Sequence, residues 1–490
     1  MERKTLRIRS LSINYLLYNL RTVLDVLIPL IIFPYVTRVL GPTNLGKVNF
    51  AESILGYFVI FSQLGIPAYG VREIARMRDN VYNRSCVFWE LSLYLLITTF
   101  VSTFIYLVVI LFAPRFNNDF ILYLVILPNL IFTNFSYEWF YTGIEDQMFI
   151  TVRYLAIKII QCVLILSLVR SSSQYIIYAG ILVGMNSISA LFNMIHARNY
   201  LIRIPFAELN LKRHLRFIFI IFASVIGIQI NRVLDITMIG FMIDERSVSI
   251  YVVANRIVMI VRTLILGIVF AMNPRIENTY KFGDINKYKD YVNYSLYLIL
   301  ILAIPATIAI NQLAPEIVDS IAGTQYTESI LSMRLLSPII IIVGIANVIV
   351  SLVLYPHRDE NKYTIAVLVA SMANVIFNYL MIPIIGHNGA IIGTVISEFI
   401  SLSISLYYAI PYLKEHIINL NFVEVFKYLI SSLTIVIIII LIKYYFSSNV
   451  LVLVISVLSC VTIYFTMIYI LKSEIMKKIM LRIMEYAQRK

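Results

Sequence analysis

Charge, cysteine and long polar stretches are what this sequence lacks. Only 14% of its 490 residues are charged, too few to clothe a water-soluble domain of useful size. Three cysteines, Cys86, Cys162 and Cys460, lie far apart in apolar segments without CxxC or zinc-ligand spacing, so they read as buried thiols rather than a site. The five histidines are scattered. His357, Arg358, Asp359 and Glu360 are contiguous but lack metal-ligand spacing and read as a solvated loop. No metal and no cofactor are expected. In the topology set out below no outward loop exceeds roughly 17 residues, which leaves little room for the catalytic loops of membrane glycosyltransferases and polymerases. No catalytic residue is therefore assigned and an enzyme is disfavoured, with a site inside the helix bundle left open.

Apolar sequence is what fills the chain. Hydrophobic residues make up 60% of it, arranged as about fourteen stretches of about 20 residues each, the length that crosses a bilayer as a helix. They fall at about 12–36, 46–69, 86–112, 119–142, 149–169, 174–198, 216–241, 247–271, 291–313, 330–355, 363–384, 388–411, 424–446 and 449–471. Lipid offers backbone groups no partner, so segments of this length must close their own hydrogen bonds as helices. The fold class is all-α, a polytopic membrane protein. The basic start resembles a signal peptide, yet no small-residue cleavage site closes it and further spans follow at once, so it is expected to be retained as the first span.

The net charge of +13 would suggest nucleic acid in a soluble chain; here it encodes topology, and no nucleic-acid partner is expected. With a cytoplasmic N-terminus, roughly 29 Lys and Arg fall inside, about 6 outside and about 5 within spans. Segment 314–329, outward in this scheme, carries only acidic charges. Both termini are then cytoplasmic. The neighbourhood of span two also recurs near span eight at an offset of about 203 residues. Ala68, Gly70 and Arg72 align with Ala271, Asn273 and Arg275, in a parallel repeat of the kind found in two-bundle transporters. Coincidence between two apolar helices is the alternative reading.

Gly41, Gly46 and Lys47 have the spacing of a phosphate-binding loop. Val48 replaces the metal-ligating hydroxyl and no strand precedes the segment, so it reads as a tight connection between helices. The ionisable residues inside spans carry more information, since a charge at the bilayer centre costs about 2.5–3.5 kcal/mol on insertion scales. Arg21 and Asp25 are four apart on span one, and Arg232 and Asp235 three apart on span seven, so each pair shares one helix face. Asn49 and Glu52 add a polar face to span two. Arg256 and Arg262 on span eight have no acid within helical reach, which calls for a cross-helix partner, a snorkelling route or an anionic ligand. Glu90 and Glu398 read as such partners or as protonated acids. Most of the 34 tyrosines read as interfacial anchors.

Four stretches carry a family resemblance: Pro34, Arg38, Gly41, Pro42 and Gly46; Gly65, Pro67, Gly70, Arg72 and Glu73; Trp139, Gly143 and Glu145; and Asn374, Asn378, Pro383, Gly386, Gly389, Ala390 and Gly393. Together they resemble the polysaccharide exporter branch of the multidrug/oligosaccharidyl-lipid/polysaccharide (MOP) flippase superfamily, specifically Wzx-type O-antigen flippases. The resemblance implies two six-helix lobes, 1–201 and 202–415, with two further helices and a basic tail in 416–490. It implies alternating-access transfer of an undecaprenyl-pyrophosphate-linked oligosaccharide, of O-antigen or capsule type, between leaflets of the bacterial inner membrane, with proton or sodium antiport. Arg21, Arg232, Arg256 and Arg262 are the expected substrate-binding residues, and Asp25, Glu52, Asp235 and Glu398 the expected ion-coupling groups or charge partners. Expected partners are the lipid-linked oligosaccharide, membrane lipids, and a polysaccharide polymerase and chain-length regulator. A cation-coupled multidrug exporter of the same superfamily and a membrane polymerase or ligase are the alternatives.

Overall fold

A computed structural model describes residues 11–416 and 421–477. Among these, every regular element is a helix and there is no strand, as the apolar spacing requires. The chain divides into two units, Met1–Ser249 and Ile250–Lys490. The first contains α1 (Leu11–Gln63), α2 (Ile66–Met77), α3 (Val81–Phe112), α4 (Phe120–Asn134), α5 (Glu138–Gly143), α6 (Gln147–Leu168), α7 (Tyr175–Ala197) and α8 (Lys212–Met242). α9 (Glu245–Lys281) crosses the boundary. The second unit continues with α10 (Ile285–Ile321), α11 (Ser329–Leu336), α12 (Ile339–Ile349), α13 (Glu360–Ile385), α14 (His387–His416), α15 (Phe422–Tyr445) and α16 (Asn449–Ile470).

Twelve helical runs among the described residues are long and apolar enough to cross a membrane. The difference from about fourteen lies in two places. Spans one and two both fall within α1, which is two helices joined at Gly41, where φ is 70° and ψ 172°. A left-handed residue followed by Pro42, which has no N–H to lose, turns the chain there. Span seven falls on α8, several of whose side chains lie outside the described ones; its described part includes the shorter apolar helix Val233–Met242.

The helix order of the first unit recurs in the second. In both, a long helix (α3, α10) precedes a broken one (α4 and α5; α11 and α12), then a pair that packs together (α6 and α7; α13 and α14). A side-chain signature accompanies it. Asp146 caps α6 and accepts a hydrogen bond from the Tyr200 hydroxyl at 2.8 Å; Asp359 stands at the start of α13 and accepts one from Tyr412.

The faces left outside are apolar, with Phe100, Phe112 and Ile384 each at least three-quarters exposed, as lipid contact demands. Some polar groups inside join the helices. The Asn134 amide donates to the Ser62 and Thr99 hydroxyls at 2.7 Å each, joining α4 to α1 and α3.

Candidate functional site

The break between α4 and α5 builds the site. Tyr137 sits in the left-handed region (φ 52°), and the chain re-enters a helix at Glu138, the first residue of α5. The Phe88, Tyr137, Trp139 and Phe140 rings pack in one buried cluster and hold the break in place. Glu138 then faces cations from two other helices. One carboxylate oxygen accepts from Arg21 of α1 at 2.7 Å, and the other from Arg153 of α6 at 3.1 Å. A second Arg153 nitrogen donates to the Ser189 carbonyl of α7 at 2.9 Å. The Tyr154 ring lies under two cations, with the Arg21 guanidinium carbon 5.3 Å and the Lys158 nitrogen 5.7 Å from its centroid. Tyr154 and Lys158 share a face of α6, being four residues apart.

Arg21, Arg153 and Lys158 thus gather around one carboxylate and one aromatic ring. A cluster of this composition suits an anion: guanidinium forks match phosphate oxygens, and their attraction grows where water is scarce. A cationic substrate would be repelled.

The expected site residues fall into three groups. Arg21 joins this cluster. Asp25 and Arg232 lie outside the described residues as far as their side chains go. Of the remainder, Glu52 and Arg256 are exposed, Arg262 and Glu398 half-buried, and Asp235 buried near the Tyr57 phenol. Glu90 takes a different partner set from the one expected, accepting from Arg213, from the Asn210 backbone at 2.7 Å and contacting His214 at 2.7 Å. Sequence reading missed Glu138, Arg153 and Lys158. Arg153 and Lys158 were visible as charges inside the span at about 149–169; that Glu138 would meet them depends on the break before α5.

The segments that carry the resemblance are packing joints. A Cβ on Gly46 would stand 1.7 Å from the Glu245 carbonyl oxygen, and one on Gly70 2.5 Å from the Trp139 ring. The nucleotide-like spacing around Gly46 is therefore the imprint of a close helix contact, with Lys47 paired to Asp119 at 3.0 Å.

These features define a class: an all-helical, multi-pass membrane protein with a cationic cluster among its membrane helices. Residues 13–279 match the family described as Polysaccharide biosynthesis protein, and the chain belongs to that family. Residues 220–384 also match the family described as MatE. A curated protein of Escherichia coli (strain K12) described as "Putative O-antigen transporter" is 22% identical over 386 residues, covering 78% of this chain and 92% of its own length. Among solved structures, the lipid II flippase MurJ in an inward closed conformation superposes with a TM-score of 0.71 at 16% identity, covering 95% of this chain and 100% of its own. An inward-facing multidrug resistance MATE transporter of the MOP superfamily gives 0.62 at 16% identity, covering 80% and 94%. The resemblance to the polysaccharide branch of that superfamily is borne out, and the structural likenesses establish the fold.

Proposed function

We propose that this protein moves undecaprenyl-pyrophosphate-linked oligosaccharide units, of O-antigen or capsule type, from the cytoplasmic to the periplasmic leaflet of a bacterial inner membrane. The observation that carries this reading is the gathering of Arg21, Arg153 and Lys158 around Glu138 and Tyr154 within membrane helices. A repeat unit of a few sugars exposes roughly ten hydroxyls, each costing about 2 kcal/mol or more to carry through hydrocarbon without a partner. The barrier from hydroxyls alone then exceeds roughly 20 kcal/mol, before the diphosphate charge is counted. A hydrated cationic groove removes it while the polyprenyl tail stays in lipid.

In this reading the protein is a transporter that makes and breaks no covalent bond. Lobes 1–201 and 202–415 rock against each other, and 416–490 adds a peripheral helix pair. Arg232, Arg256 and Arg262 are further substrate-binding residues, while Asp25, Glu52, Asp235 and Glu398 hold or release arginines as an ion gradient is spent. Both termini face the cytoplasm, and a polymerase and chain-length regulator receive the product. The curated relative's description and the family membership support the substrate class. The MatE match supports a second reading, a cation-coupled drug exporter, which the positive cluster disfavours.

Complementation tests the proposal. In a strain lacking its own flippase but making a defined lipid-linked oligosaccharide, this chain should restore surface polysaccharide. Correct membrane insertion with no display, both there and with the chain's native oligosaccharide, would overturn it.

A further inference from the structure

Glu138 has the burial pattern of a group that leaves. In an ion pair built only for stability the acid is enclosed along with its bases, yet here the Glu138 side chain is 38% exposed while those of Arg21 and Arg153 are 20% and 6% exposed. Arg153 is held independently by the Ser189 carbonyl, so losing the carboxylate would not release it. Its Nε is also buried without a hydrogen-bond acceptor, an arrangement that normally costs stability. Both carboxylate oxygens are already taken by the two arginines. A diphosphate offers more acceptor oxygens than a carboxylate and could serve this third donor as well.

We propose that Glu138 is an internal placeholder for the substrate's diphosphate. In the unloaded protein it occupies Arg21 and Arg153; an arriving diphosphate displaces it, and its return helps expel the head group. This rests on the anion-carrying reading above and adds to it a competitor built into the site. The displaced carboxylate starts from a partly exposed position. Binding is weakened by the fraction of time the arginines are occupied, which keeps the site from holding its cargo too tightly for release.

The test is calorimetric titration of inorganic diphosphate into the purified protein in nanodiscs at low salt. If Glu138 occupies the arginines about nine-tenths of the time, Glu138→Gln binds about tenfold more tightly than the unaltered chain. The gain should shrink when Arg153→Gln is added, because the competitor then occupies Arg21 alone. Glu138→Asp, which keeps the charge but shortens its reach, should give a smaller gain and serves where the Gln variant fails to insert. Affinity that is unchanged or lower in the inserted variants, or a gain undiminished by loss of Arg153, would overturn the placeholder. Complementation separates the two claims: transport without an affinity gain sinks the placeholder alone, and an affinity gain without transport of any lipid-linked oligosaccharide sinks the flippase reading alone.

Discussion

The two units run the same helix order and use it for opposite chemistry. Counted from the first residue of each helix, Arg153 is seventh and Lys158 twelfth on α6, whereas Ala366 and Ser371 hold those places on α13. Ala366 is fully buried, and the Ser371 hydroxyl donates to its own helix at the Val367 carbonyl. α12, the counterpart of α5, carries no ionisable residue. The neighbouring pairs are joined differently as well. Arg153 bonds α6 to the Ser189 carbonyl of α7, while α13 and α14 meet through glycine, a Cβ on Gly389 falling 2.5 Å from the Met381 backbone. The helix order is thus shared while the charge of the interior differs. At these positions the first unit carries a cationic cluster and the second a close-packed pair.

Exchanging the residues at the paired positions should have the largest effect. Ala366→Arg would force a guanidinium into the place of a fully buried methyl group, at a cost of several kcal/mol. The protein should fail to accumulate in the membrane, as read by a fluorescent fusion and detergent chromatography. Arg153→Ala removes two hydrogen bonds to charged or carbonyl groups, about 2 kcal/mol, and should leave an inserted protein that no longer displays polysaccharide. Normal accumulation of the first variant, or full display by the second, would break the contrast between the units.

A milder pair sharpens it. Gly389→Ala places a methyl group against backbone that cannot step aside, and overpacking of this kind costs about 1–3 kcal/mol. Gly184 on α7 has nothing within 4 Å of a Cβ, so Gly184→Ala should be neutral or slightly stabilising through helix propensity. Thermal unfolding of the purified variants should separate them by several degrees. Equal midpoints would mean that the glycine seam of the second unit is not a close contact.

Much of this was legible in the sequence. Apolar length fixes the helices, and the family glycines mark where helices touch, as Gly46, Gly70 and Gly389 show. The site was less legible, for a physical reason. Residues one helical turn apart can be paired on paper, and Arg21 with Asp25 was such a pair; the Arg21 contact with Glu138 spans 117 residues and depends on a left-handed Tyr137 that no periodicity announces. The repeat was read from the neighbourhoods of Gly70 and Asn273, but its clearest side-chain signature is the Asp–Tyr bond before each helix pair, which sequence alone cannot connect.

That signature supplies the smallest and most selective difference. Asp359 accepts from Tyr412 and pairs with the Lys362 ammonium at 2.7 Å, whereas the described partners of Asp146 are the Tyr200 hydroxyl and the Phe149 N–H. The hydrogen bond from Lys362, followed by that from Tyr412, holds the Asp359 carboxyl below its ordinary value. A depressed carboxylate stabilises the fold above its unfolded pKa, and that stability is lost as pH falls through the folded one. Asp359→Asn should therefore lower the unfolding midpoint at pH 7 by an amount worth less than about 1 kcal/mol, since the pair is near the surface, and the deficit should close well below pH 4, where both chains carry a neutral group. Asp146→Asn, which loses no ammonium and remains a good helix cap, should show a smaller deficit at pH 7. If the two deficits are equal, or if that of Asp359→Asn persists in acid, the lysine contributes nothing and the two Asp–Tyr bonds are equivalent after all.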